Sequence, residues 1–132
     1  MIKSEQQKNR TLKMLNELQE KRKNANKSAL GSIDSLIGQL ESELIEYEKL
    51  KRGEFVLPKN ITFVELLRNI TKVRIAKGLS QQDLANLLGI SKQQINRYEE
   101  HDYQNVSIIK INQILSVLGL NISLEASGDI AA

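Results

Sequence analysis

Ser80–Glu99, SQQDLANLLGISKQQINRYE, reads as two short helices joined by one tight turn, and the rest of the chain is organised around it. Gly89 supplies the residue at which the backbone reverses with positive φ. Ala85 lets the second helix approach the first, and Ile95 packs back beneath them. Leu84, Leu88, Ile90 and Tyr98 complete one apolar face. Ser80 precedes Asp83, and Ser91 precedes Gln94, by the spacing of a capping box, so both helix starts are marked.

On the second helix Ser91, Lys92, Gln93, Gln94, Asn96 and Arg97 have no part in packing. Gln and Asn bond two atoms of an adenine edge, Arg and Lys bond guanine, and a helix N-terminus attracts phosphate, a set that suits the major groove of DNA. A merely solvated helix face has the same polarity, so these side chains alone leave both readings open. The turn geometry favours DNA.

Residues 61–120 resemble the Cro/phage-repressor (Xre) family of helix-turn-helix DNA-binding domains. The resemblance is carried by Gln81, Leu84-Ala85, Gly89, Ile90, Ile95 and Tyr98-Glu99, with Arg74 and the run Gly78-Leu79-Ser80-Gln81 upstream. It implies an all-α, five-helix-type repressor domain and a structural ion pair between Arg74 and Glu99. It also implies a phosphate contact from Gln81, and base or flanking-phosphate contacts from Lys92, Gln93, Asn96 and Arg97.

Charge is distributed to match. The net charge of +3 over 132 residues is mild, but between Arg68 and Arg97 six cations stand against Asp83 alone. After Arg97 the sole cation is Lys110, so the expected DNA face is basic and the far side acidic. The absence of cysteine excludes a disulfide framework and a thiolate metal site. With no signal-peptide core and no apolar run near the roughly 20 residues of a membrane helix, the expectation is a cytoplasmic protein. The lone His101, in a polar loop beside Asp102 and Tyr103, makes no catalytic or metal constellation, and neither an enzyme nor a cofactor is expected.

Residues 1–52 are polar and helix-favouring, and read as a helical hairpin. A first helix spans about 5–24, weak helix formers at 24–32 break it, and Leu30, Ile33, Ile37, Leu40, Leu44 and Tyr47 then form a coiled-coil-like heptad seam. Residues 3–27 are net basic and 28–50 net acidic, which favours antiparallel pairing. The first helix has too few apolar residues to cover the second, so the leftover seam is expected to bury against a second copy or another protein. A solvated spacer is the alternative. Residues 53–60 form a connector, with Phe55, Val56 and Leu57 as a strap on the domain of residues 61–126. In that domain Thr62 and Glu65 make a further capping box ahead of the stripe Phe63, Leu66, Leu67, Ile70 and Val73. Beyond the recognition helix, HDYQNVS reads as a polar loop and Ile108, Ile111, Ile114, Leu115 and Leu118 as a helix. Leu120, Ile122 and Leu124 alternate with polar residues as in a short C-terminal strand that needs an edge from a partner, and 127–132 is a tail.

The expected function is that of a sequence-specific repressor of double-stranded DNA, a homodimer on an inverted-repeat operator. The compact size, single DNA-binding domain and extra arm resemble antitoxins of bacterial type II toxin-antitoxin pairs, which implies autoregulation and a cognate toxin. A stand-alone or phage-type regulator, and a protein-interaction module working through the arm, are the alternatives.

Overall fold

The computed structural model describes residues 1–129; residues 130–132 of the expected tail lie outside them. It contains six helices: α1 Glu5–Lys23, α2 Lys27–Lys51, α3 Phe63–Ala76, α4 Gln81–Leu88, α5 Lys92–Glu100 and α6 Ile108–Val117.

Helices α1 and α2 form an antiparallel hairpin whose turn takes only residues 24–26. Asn26 caps α2 by accepting from Ala29 N, so Gly31 and its neighbours lie inside the helix and not in the break expected at 24–32. The ion pairs Arg22–Asp34 (2.6 Å) near the turn, and Lys8–Glu48 and Lys51–Glu5 at the open end, set the antiparallel register. Thr11 and Leu15 are the buried residues of α1. Against them Leu30, Ile33, Ile37, Leu40 and Leu44 are half-buried within the single chain. Tyr47, expected in an intermolecular seam, is only 3% exposed: it lies with Ile2, Leu50 and Ile75 in a small core shared by the arm and α3. The hairpin is thereby fastened to the domain, and Lys72–Glu46 (3.2 Å) adds an ion pair between α3 and α2.

Helices α3 to α6 surround the main core of Leu67, Ile70, Val73, Leu84, Ala85, Ile95, Tyr103, Ile111, Ile114, Leu115 and Leu118. Four helices, not the five expected from the family resemblance, make up this domain. Two positions differ from the sequence expectation. Ile108 stands 63% exposed in the first turn of α6, while Tyr103, from the loop read as polar, is wholly buried. Asp102 and Tyr103 both have positive φ (50° and 58°), and this sharp reversal turns the Tyr103 ring into the core. Phe55 and Leu57 pack against the main core, whereas Val56 between them is 86% exposed.

The expected C-terminal strand is absent among the described residues. Leu120 and Ile122 pack on the core and Leu124 is 74% exposed. Of the period-two positions only the first two face inward; a ladder needs a neighbouring strand, and none is present among the described residues. Of these three residues offered as a partner interface, the first two are thus engaged within the monomer.

Candidate nucleic-acid interface

The turn between α4 and α5 follows from local chemistry. Gly89 sits at φ 69°, ψ 31°, and Ile90 N donates to Ala85 O at 3.0 Å, closing the end of α4. Ala85 and Ile95 are fully buried where the helices cross. At the start of α4 the capping box is reciprocal: Ser80 Oγ accepts from Asp83 N, and Asp83 accepts from Ser80 N, each at 2.9 Å. The Ser80 backbone N–H, with the Ser80 side chain second, holds the Asp83 carboxyl below the usual aspartate range. Ser91 and Thr62 cap α5 and α3 through Gln94 N and Glu65 N, but among the described residues neither receives the returning side-chain bond that a box requires.

Arg74 and Glu99 form a fully buried ion pair, with Nε donating to Oε2 at 2.7 Å and Nη2 to Oε1 at 2.9 Å. Glu99 also accepts from Gln81 Nε2 (2.8 Å) and Tyr103 Oη (3.3 Å), so both carboxylate oxygens are saturated. Burial, with the Glu99 carboxylate beside it, pushes the Tyr103 phenol far up. Two further Arg74 donors go to Leu79 O (2.7 Å) and Lys3 O (2.8 Å). One guanidinium therefore joins α3, the approach to α4, the end of α5 and the N-terminal segment. Lys3 completes the latch through Nζ, which donates to Glu99 O at 2.8 Å.

This network fixes what α5 presents. Lys92, Gln93 and Arg97 are exposed, Gln94 is half-buried, and none of the four makes a side-chain hydrogen bond among the described residues. Ser91 is exposed at the helix start, its hydroxyl used in the cap. Asn96 is constrained: Oδ1 accepts from Gln81 Nε2 (3.3 Å) and Nδ2 donates to Glu100 Oε1 (3.1 Å). Gln81 is buried with its amide turned inward to Glu99 and Asn96, because the buried carboxylate demands that donor; a phosphate contact from it would require breaking this bond. Sequence reasoning missed the other side of the site. A polar groove of about 840 Å³ runs beside α5, and its opposite wall is α1, through Gln6, Gln7 and Arg10. The basic character of α1 was visible in the sequence, but its position next to α5 was not.

Among the described residues no group of His, Cys, Asp and Glu could hold a metal ion, and no helix is long and apolar enough to cross a membrane. No curated protein and no solved structure matches the chain. Residues 70–124 match the helix-turn-helix family model, a span that runs from within α3 through α4, α5 and α6. The αL reversal at Gly89, the crossing at Ala85 and the buried Arg74–Glu99 pair all lie inside that span, so residues 70–124 form a helix-turn-helix domain, similar to those of DNA-binding transcription regulators.

Proposed function

We propose that this protein is a sequence-specific repressor that places α5 in the major groove of double-stranded DNA. The observation that carries the reading is the face of α5. Lys92, Gln93 and Arg97 stand exposed, with no side-chain hydrogen bond among the described residues, on a helix whose far end is clamped by a buried ion pair. Rigid presentation of unspent donors and acceptors is what discrimination between base edges needs. Gln93 reads a base, with Lys92, Gln94 or Arg97 reading others or the flanking phosphates, and the capped N-terminus at Ser91 sets register on a phosphate. Gln81 acts indirectly, by holding Asn96.

The proposal extends to a homodimer on an inverted repeat, with half-sites about 34 Å apart, one helical turn. It extends also to autoregulation as the antitoxin of a toxin-antitoxin pair, the arm offering a toxin the exposed Leu36 and Ile45 of α2. Fluorescence anisotropy at physiological salt, with the duplex upstream of the protein's own gene and a scrambled duplex, tests the DNA reading. Preference for the first is expected, and equal affinity refutes sequence-specific autoregulation. Capture of the neighbouring gene's product by the purified protein tests the antitoxin role, and its failure leaves a stand-alone regulator.

A further inference from the structure

We propose that α1 is a second wall of the DNA-binding surface, and that Gln6, Gln7 and Arg10 seat the phosphodiester backbone bordering the major groove read by α5. The inference rests on the DNA-binding reading and deepens it, since nothing in the helix-turn-helix span itself includes α1.

The groove between the helices has no apolar side chain in its lining. Its cations are Arg10 from α1 and Lys92 and Arg97 from α5, against the single carboxylate of Glu100, one oxygen of which already accepts from Asn96. An apolar partner surface would find nothing to bury there, whereas a polyanion finds cations on both walls. Gln6 and Arg10 make no side-chain hydrogen bond among the described residues, and one turn of helix separates them, so both project to the same side. Gln7 accepts from Lys3 N through Oε1 (2.8 Å), which orients its amide and leaves the NH₂ group to donate.

The wall is also held in place. Lys3 O accepts from Arg74, Lys3 Nζ donates to Glu99 O, and Ile2 is buried against Tyr47, Leu50 and Ile75. The pair that clamps α5 therefore anchors the start of α1 as well, and the two walls keep one spacing. A phosphate bound between them meets preformed donors, with little ordering cost beyond the Arg10 side chain.

The test is the salt dependence of binding by the full chain, measured by anisotropy with the upstream and the scrambled duplex. Each lost phosphate contact lowers the slope of log K against log salt by about 0.9, and weakens binding about fivefold at physiological salt. Arg10→Gln is expected to do this equally on both duplexes, because phosphate contacts carry no sequence information. Lys21→Gln, far along α1 from the groove, is expected to leave the slope unchanged. Unchanged binding by Arg10→Gln, while Arg97→Gln weakens it, overturns the role of α1 and leaves the DNA reading intact. Tighter binding by Arg10→Gln also overturns it, making α1 an obstacle to α5. Failure of the unaltered protein to bind either duplex refutes both readings. As a second readout, Gln6→Cys places the chain's only thiol in the groove. A photo-crosslinker attached there should join to DNA in the complex, whereas the same group at Lys21→Cys should not.

Discussion

Replacing Arg74 by Met removes four hydrogen bonds at once: two to Glu99, one to Leu79 O and one to Lys3 O. Glu99, with no exposed surface, is left as a buried carboxylate supported by Gln81 and Tyr103 alone. Breaking a buried pair in this way costs about 3–5 kcal/mol, a large part of the roughly 5–15 kcal/mol that holds a domain folded. Glu99→Leu leaves Arg74 charged but still bonded to two carbonyls, so it belongs near 3 kcal/mol, the low end of the same range. The double variant buries neither charge and is expected to cost no more than Arg74→Met alone. The cycle should thus show a coupling of at least about 2 kcal/mol. Urea unfolding of the four proteins measures it, with unchanged denaturant slopes as the condition for comparing midpoints. Additivity within about 0.5 kcal/mol would refute the claim that the two charges exist for each other. Amide hydrogen exchange separates the latch from the pair. In Arg74→Met the first turn of α1 should exchange faster, because Lys3 O has lost its donor, and unchanged protection there would sink the latch.

Gln93→Ala should lose about 1–3 kcal/mol on the upstream duplex and little on the scrambled one; equal loss on both would exclude a base-reading role. Gly89→Ala meets no atom within 4 Å, so its whole cost is that of holding φ at 69°, about 1–2 kcal/mol. Thermal or urea unfolding checks this, and a neutral result would show that the turn can relax out of αL. Burial, helped by the nearby Glu5 carboxylate, raises the Tyr47 phenol from 10.0 to about 12. Its protonated form is the one folding favours, so that contribution is complete below about pH 10 and disappears as pH rises through about 12. Tyr47→Phe, which keeps the packing and loses the 3.2 Å bond to Glu5, should flatten the decline in stability over that interval; an identical alkaline profile would exclude Tyr47 as its source.

The helix-turn-helix was legible in the sequence because the forces that make it are local. Ser80, Asp83, Gly89 and Ser91 act on backbone groups within a few residues, and the apolar steps of three and four along α3 and α4 need no knowledge of what they face. Opposite charge on α1 and α2 similarly announced their antiparallel pairing. Tertiary structure decided whatever depended on a distant neighbour. Tyr103 lies in a polar stretch and becomes core through two consecutive positive φ angles and the demand of Glu99 for a donor. Gln81 turns inward for the same carboxylate, 18 residues away in sequence. Leu120 and Ile122 alternate like a strand but find a helical core to cover and, among the described residues, no edge to join. The largest difference concerns α1. Its amides and cations were plain in the sequence, but their place beside α5 comes from bonds linking Lys3 to Arg74 and Glu99, across 71 and 96 residues. Helix periodicity reports which face of an element is apolar, whereas contacts of that range depend on how the whole chain closes.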